Sequence, residues 1–163
     1  MNKEDINTIL EKAIAIAAKA HAGQRDKAGS PYILHPLRVM MKLDATEEKI
    51  VAVLHDVLED GTPEYAEEVR TLLPDTLFDA LLCVTKQDDE HGPEGYTRFI
   101  DRASGNPLAR RVKIADLEDN LTITRLSIID TGDIERLQRY LRSLQMLKAQ
   151  EKRAAEMLKP MQA

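Results

Sequence analysis

Apolar residues recur along most of the chain at intervals of three and four positions, which is the spacing of one face of an α-helix. In the first such stretch, from about residue 5 to residue 21, this face consists of Ile6, Ile9, Leu10, Ala13, Ile14 and Ala17. Similar patterns predict helices at about 35–42, 45–58, 63–72, 74–86, 95–103, 107–126 and 133–158. Alternating β-branched runs are scarce, so the pattern predicts an all-α fold of about eight helices.

Glycine and proline cluster in two segments between the predicted helices. The first reads GQRDKAGSPY at 23–32 and is predicted to be a loop. The second reads KQDDEHGPEG at 86–95; it has no apolar residue, and we expect an exposed, mobile loop. No repeat, low-complexity segment or linker interrupts the 163 residues. We therefore expect one domain over residues 1–163, with a single core.

Composition narrows the kind of function. The formal net charge of −5 argues against non-specific nucleic-acid binding, although a local basic cluster or a metal can still hold a small anionic substrate. The one cysteine, Cys83, cannot form an internal disulfide, and the charged start MNKEDINTILEK carries no signal peptide. No apolar run approaches the ~20 residues that span a bilayer. We expect a soluble, cytoplasmic protein without a membrane partner.

One predicted helix carries more ionisable groups than packing requires. The segment VAVLHDVLEDG at 51–61 places His55, Asp56, Glu59 and Asp60 among apolar residues. In a continuous helix, His55 and Glu59 share one side, and so do Asp56 and Asp60, because each pair is four residues apart. Three crowded carboxylates repel one another unless a cation or a shared proton compensates. A metal ion is the simplest candidate.

Two further polar residues interrupt apolar stretches. His35 stands in PYILHPLRV, and Asp116 stands in RRVKIADLEDNL with Asn120 one turn later. Taken singly, His35 is explained as a core or capping residue, and Asp116 as a partner of Lys113. Together with the histidine and aspartate of the HD pair, they offer two imidazoles and two carboxylates. This mixed set suits Mn²⁺, Fe²⁺, Zn²⁺, Co²⁺ or Ni²⁺, with water in the open positions.

The order of these motifs resembles a known family. The segments AHAGQ, GSPYILHPL, LHDVLEDG, VTK and VKIADLEDN, between about residues 8 and 145, resemble the HD-domain hydrolases of the RelA/SpoT type. In size the chain is similar to their stand-alone small alarmone hydrolases, which include the metazoan SpoT homologue. The resemblance implies an HD-domain helical bundle that removes the 3′-pyrophosphate from ppGpp or pppGpp.

The resemblance also implies a role for each motif residue. The Mn²⁺ ligands of that family correspond to His35, His55, Asp56 and Asp116. The couplet Glu59-Asp60 corresponds to the acids that handle the attacking water; of the two, we favour Glu59 for this role, with Asp60 assisting. Asn120 corresponds to a residue that contacts the nucleotide.

Four more residues are candidates for substrate contact. Arg25 and Lys27 lie in the first loop, where they are equally explained as solvated, and Asp26 intrudes between them. Lys86 follows the VTK motif's threonine and is likewise equally explained by solvation. Tyr140 shares a helical stripe with leucines 137, 141 and 144, so core packing is the stronger interpretation for it.

Two departures from the family pattern bear on the substrate. The first is Asp26, because many family members have adjacent basic residues in this loop. The second follows Asp116. Glu118 and Asp119 precede Asn120, where family members often carry basic or aromatic residues. These two acids are expected on the outer face of the helix, because only Asp116 and Asn120, four residues apart, lie on the same side as the metal-ligand candidates. Two alternatives therefore stay open: an HD phosphohydrolase for another nucleotide or nucleotide cofactor, and a non-catalytic nucleotide-binding regulatory module. The oligomeric state also stays open, because the apolar stripe of the last helix fits either a dimer or the protein's own core.

Overall fold

The chain folds into helices joined by short loops. The computed structural model describes residues 3–125 and 128–157, and these contain no strand, only an isolated bridge between Arg25 and Pro31. The helices are α1 (Lys3–Ala20), α2 (Leu34–Met41), α3 (Thr46–Leu54), α4 (Val57–Asp60), α5 (Pro63–Leu72), α6 (Asp75–Val84), α7 (Gly92–Gly105), α8 (Pro107–Asn120) and α9 (Thr131–Met157). A 3₁₀ turn (Ile123–Arg125) follows α8. The all-α prediction is confirmed.

The predicted helix at 45–58 is in fact two helices, α3 and α4, which are separated at His55 and Asp56. Both the backbone N–H and the ring Nδ1 of His55 lie near the carbonyl oxygen of Ala52, at 3.5 and 2.8 Å. The carbonyl oxygen of Ala52 therefore accepts from His55 instead of from the backbone N–H four residues on, and the regular hydrogen bonds of the α-helix end here. The expectation of one continuous helix was wrong here, and the interruption falls on the HD pair itself.

The core surrounds α3. Five consecutive residues of this helix, Ile50, Val51, Ala52, Val53 and Leu54, have no exposed surface. The second half of α3 is thus apolar and buried on every side, as expected for a helix inside the protein, and α3 packs against α1, α2, α6 and α8. His55 and Asp56 follow directly on this most buried helix, so a rigid element fixes their position.

A smaller apolar cluster joins the last helix to the rest. Ile100, Leu117, Leu144 and Leu147 form its buried part, and Tyr140 packs against them at its edge. Of the leucines predicted along the last helix, Leu141 is 47% exposed, and Leu158 lies outside the described residues. The stripe is therefore explained in part by the protein's own core. Within the part of the chain that the structure describes, no helix has the length and apolar character to cross a membrane.

The loop predicted to be exposed at 86–95 contains one buried anchor. Glu90 is 4% exposed and accepts hydrogen bonds from the backbone N–H of Gln87 and from Arg102, at 2.8 and 2.6 Å. The helix α7 begins within the predicted loop and reaches Gly95, where an added Cβ would lie 2.3 Å from the carbonyl carbon of Glu90. This contact requires glycine. The loop thus packs on α7 through Glu90 and Gly95, whereas the other residues of 86–95 are exposed or half-buried, so the expectation of an exposed loop was wrong only for these two residues.

We expect the substitution Asn106→Ala to lower the free energy of unfolding by about 1 kcal/mol, because Asn106 caps α8. Its side-chain oxygen accepts from the N–H groups of Leu108 and Ala109, at 3.0 and 3.1 Å. In a domain of this size that corresponds to a fall in Tm of roughly 2–4 °C, which calorimetry measures. The variant Asn106→Asp keeps the acceptor and should stay near the wild type. An unchanged Tm for Asn106→Ala would contradict the role of this cap.

Candidate metal centre

Two histidines and an aspartate meet in the interior, each from a different part of the chain. His35 lies in α2, His55 follows α3, and Asp116 lies in α8. One donor atom from each lies within 4.8 Å of the other two, and all three residues are buried. The Oδ1 atom of Asp116 is 3.2 Å from Nε2 of His35 and 3.6 Å from Nε2 of His55.

Asp56 completes this group on its more open side. Its Oδ2 atom lies 3.1 Å from Nε2 of His55 and 3.7 Å from Nε2 of His35, and its side chain is 17% exposed. The hydroxyl of Tyr32 donates to the same oxygen at 2.7 Å. The fold therefore brings together all four residues that the sequence indicated as metal ligands.

The donor atoms fit a divalent cation. Nε2 of His55 is buried and faces the carboxylates of Asp56 and Asp116 at 3.1 and 3.6 Å without a hydrogen bond of regular geometry, whereas Nδ1 of the same ring faces the carbonyl oxygen of Ala52. Nδ1 of His35 faces Asp119 at 2.8 Å, so its Nε2 likewise points to the carboxylates. A histidine that binds metal commonly donates its other ring N–H to an oxygen in this way. A cation bound between these nitrogens and carboxylates would give each donor atom a direct partner.

The electrostatics of the centre keep both aspartates ionised. Burial acts to raise the pKa of Asp116, but Lys113 and the two imidazoles outweigh it and hold that pKa well below its usual value. Burial acts in the same direction on Asp56, but His55 lowers the pKa to about 2. The carboxylates in turn raise the pKa of both histidines against the effect of burial. A proton and a metal ion therefore compete for the same ring nitrogens.

Lys113 is a neighbour of the centre that sequence reasoning treated only as an alternative partner of Asp116. Its Nζ atom lies 2.8 Å from Oδ2 of Asp116 and 4.5 Å from the centre of the Phe99 ring. Asp116 thus uses Oδ2 for Lys113 and turns Oδ1 to the histidines, and the same Oδ1 accepts from Nδ2 of Asn120 at 2.6 Å. The i, i+3 spacing of the two residues was the available signal, since such residues are neighbours on a helix.

The two acids of the ED couplet lie in different surroundings. Glu59 lines the same cavity as the metal-ligand candidates, and its Oε1 atom accepts the backbone N–H of Lys86 at 2.5 Å. Burial raises the pKa of Glu59. Asp60 is not among the residues that line this cavity, and its backbone carbonyl accepts from Gln24 at 3.4 Å. The structure thus brings Glu59, but not Asp60, to the cavity wall.

Two adjoining cavities open beside the centre. The first has a volume of about 240 Å³ and contains Lys86 and Arg139 in its wall. The second, of about 280 Å³, has Arg25, Lys27 and Arg136 in its wall. Four residues line both cavities: Tyr32, His35, Asn120 and Tyr140. The five predicted substrate-contact residues therefore all face this space, and the basic residues of α9, which periodicity alone does not single out, join them.

Two further polar residues have structural partners. His21 is buried and its Nδ1 atom lies 2.7 Å from Oε1 of Gln24, which is a local hydrogen bond. Asp26 accepts the backbone N–H groups of Ala28 and Ser30, both at 2.9 Å. It therefore shapes the loop between Arg25 and Lys27, although it also lines the second cavity.

The two acids before Asn120 do not share one face. Glu118 turns outward and pairs with Lys148 at 2.7 Å, as expected. Asp119 is 3% exposed, so the prediction of an outer position was wrong for it. Residues three apart on a helix are neighbours as well as residues four apart, and Asp119 therefore lies beside Asp116, where α8 packs against α2.

Comparisons with known proteins agree with these motifs. The chain is 32% identical over 120 residues to guanosine-3′,5′-bis(diphosphate) 3′-pyrophosphohydrolase of Aquifex aeolicus, a match that covers 69% of this chain and 17% of the relative. It is 38% identical over 130 residues to the bifunctional (p)ppGpp synthase/hydrolase SpoT of Escherichia coli, covering 72% of this chain and 18% of that protein. No family model matches.

A solved structure shares the fold. It is a metazoan ortholog of SpoT that hydrolyses ppGpp; it superposes with a TM-score of 0.70 at 21% identity, over 89% of this chain and 92% of that one. This likeness confirms the helical bundle that the motifs implied. The chain is thus a relative of the RelA/SpoT-type proteins, and it spans less than a fifth of the length of the two curated relatives that it matches.

We expect a divalent cation to stabilise the protein through this centre. A cation at about 100 times its Kd adds roughly 2.7 kcal/mol to the free energy of unfolding, because it binds only the folded state. Titration of Mn²⁺ or Zn²⁺ should therefore raise the Tm of the wild type but not that of His55→Ala. His91 is exposed and far from these ligands in sequence, so His91→Ala is the matched control and should respond as the wild type does. A rise of equal size in His55→Ala would exclude His55 as a ligand.

Proposed function

We propose that this chain is a metal-dependent phosphohydrolase that removes the 3′-pyrophosphate from (p)ppGpp and releases GDP or GTP together with pyrophosphate. The observation that carries this proposal is the meeting of His35, His55, Asp56 and Asp116 beside a cavity that also exposes Glu59. The relatives and the solved structure that bear (p)ppGpp hydrolase names support the choice of substrate.

The metal in this proposal is Mn²⁺, held by the two imidazoles and the two aspartates. Ligands of mixed nitrogen and oxygen type without thiolate support a transition metal of this kind over Mg²⁺ or Ca²⁺, which prefer oxygen alone. When bound, such an ion polarises a phosphoryl oxygen and lowers the pKa of bound water. The ionised state of Asp56 and Asp116 supports cation binding, because each supplies a full negative charge.

Glu59 is the general base in this proposal. Its Oε1 atom is held by the N–H of Lys86, which leaves Oε2 to accept the proton of the attacking water. Glu59 is exposed to the cavity, but partial desolvation there raises the pKa of its carboxyl and brings it closer to the range in which a base works efficiently near neutral pH. Asp60 would act on this step only indirectly, because it lies off the cavity wall.

The distribution of cations fits a nucleotide with phosphates at both ends. Lys86, Lys113 and Arg139 line the cavity beside the metal ligands and would contact the 3′-pyrophosphate. The second cavity would receive the 5′-phosphates, since Arg25 lies there, together with Lys27, whose Nζ atom is held by Asp133 at 2.7 Å. Asn120 and Tyr140 line both cavities and would contact the nucleoside between them.

A second candidate is an HD phosphohydrolase for another phosphorylated nucleotide. Asp26 in the wall of the second cavity favours it, because a carboxylate opposes the binding of a polyphosphate there. This alternative uses the same metal ligands and the same base, and differs only in what fills the second cavity. In either case we expect one domain to hold the whole site and to act in the cytoplasm.

The decisive assay is release of pyrophosphate from ppGpp by protein loaded with Mn²⁺. We expect turnover by the wild type and, in Glu59→Gln, a fall in kcat of about 10²–10⁴-fold, which is the usual contribution of a general base. Binding of ppGpp, measured by calorimetry, should stay near the wild-type value in Glu59→Gln, because the amide keeps the acceptor for the N–H of Lys86.

Two controls separate the parts of this expectation. Asp56→Ala should lose turnover through loss of metal, whereas Asp60→Asn should lose far less than Glu59→Gln. A wild type that binds Mn²⁺ but cleaves another nucleotide in place of ppGpp would transfer the proposal to the second candidate. Nucleotide binding without turnover of any nucleotide in a panel would contradict both and support a binding module.

A further inference from the structure

Asp119 joins the metal-ligand candidates to a residue outside them. Its Oδ2 atom lies 2.8 Å from Nδ1 of His35, and Arg38 donates to both of its oxygens, from Nε to Oδ1 at 2.8 Å and from Nη2 to Oδ2 at 2.9 Å. The guanidinium therefore grips the carboxylate in the two-point geometry that is strongest for this pair.

This contact between α2 and α8 is formed by two residues from each helix. His35 and Arg38 are one turn apart on α2, and Asp116 and Asp119 are one turn apart on α8. The imidazole of His35 lies between the two carboxylates, with Nε2 at 3.2 Å from Asp116 and Nδ1 at 2.8 Å from Asp119. Each ring nitrogen thus has its own carboxylate.

This arrangement has a consequence for the neutral ring, which carries one proton. Both carboxylates can only accept, but Nδ1 lies closer to Asp119, at 2.8 Å, than Nε2 lies to Asp116, at 3.2 Å, so the shorter contact places the ring proton on Nδ1. The lone pair of Nε2 is then free and points to the group of donors formed with His55 and Asp116. Outer residues that fix a ring in this way commonly change metal affinity 10–100-fold when they are removed.

We propose that Asp119, clamped by Arg38, is the positioning residue that fixes the ring orientation and the tautomer of His35 for metal binding. This inference rests on the proposed metal site and adds to it a pair of residues that touch neither metal nor substrate. The competing explanation is an ion pair that only fastens α2 to α8. The two differ in what happens to the ring of His35 when the carboxylate is removed.

The test compares Asp119→Leu with Glu118→Leu, a matched pair of adjacent acids of which only the first contacts His35. We expect the Kd for Mn²⁺, measured by competition with a chelating dye, to rise about 10–100-fold in Asp119→Leu and to stay near the wild-type value in Glu118→Leu. Asp119→Asn keeps an oxygen that accepts from Nδ1 and should retain most of the affinity.

A second readout needs no metal. Ring ¹⁵N shifts of His35, recorded on the metal-free protein at alkaline pH where the imidazole is neutral, report which nitrogen carries the proton. We expect the proton on Nδ1 in the wild type and a mixture of tautomers in Asp119→Leu. The Arg38 side chain is 35% exposed, so the variant Arg38→Met is expected to fold. It should weaken Mn²⁺ binding by a smaller factor than Asp119→Leu does.

The outcomes separate this inference from the proposal on which it rests. A wild type that binds Mn²⁺ together with a folded Asp119→Leu of equal affinity and unchanged tautomer would overturn the role of Asp119 alone. A wild-type ring with its proton on Nε2 would also overturn it. A wild type that binds neither Mn²⁺ nor any other divalent ion would overturn the metal site and the positioning role together.

Discussion

The buried carboxylate of Asp116 is the group on which the rest of the structure depends. It is 4% exposed; one oxygen is bound to Lys113, and the other is turned to two imidazoles and accepts a hydrogen bond from Asn120. An ionised group in the interior costs several kcal/mol unless partners surround it. The helices that carry those partners must therefore converge on α8, and that convergence creates a compact group of cation ligands.

The fold makes this convergence rigid on one side and open on the other. The helix α3 is enclosed by α1, α2, α6 and α8, so the HD pair at its end has little freedom. The opposite side of the centre faces the two cavities, where Asp56 is the more exposed ligand candidate and the basic side chains collect. A rigid support with one open face is the arrangement that holds reacting groups in register.

Much of this was predictable from the sequence, because it depends on residue type and spacing. Helical periodicity indicated the fold class, and polar residues inside apolar stretches indicated His35, His55, Asp56 and Asp116. The break between α3 and α4 was not predictable, since it depends on a ring nitrogen of His55 reaching a carbonyl oxygen in its own turn. No periodicity encodes that contact.

The other differences arise from packing between distant segments. Asp119 is buried because α2 packs against α8, and the residue spacing within α8 alone does not reveal this contact. Lys113 contacts the ring of Phe99 on α7 in addition to Asp116, and the packing of α4 decides which of the adjacent acids Glu59 and Asp60 faces the cavity. In each case the chemistry was visible in the residue type, while the direction of the side chain was set by the tertiary structure.

The most direct test of the central claim is anomalous X-ray scattering from crystals of protein soaked in Mn²⁺, recorded on both sides of the manganese absorption edge. The account predicts one strong peak within bonding distance of Nε2 of His35, Nε2 of His55 and the carboxylates of Asp56 and Asp116. A peak at another place, or none in crystals shown by fluorescence to contain manganese, would contradict it.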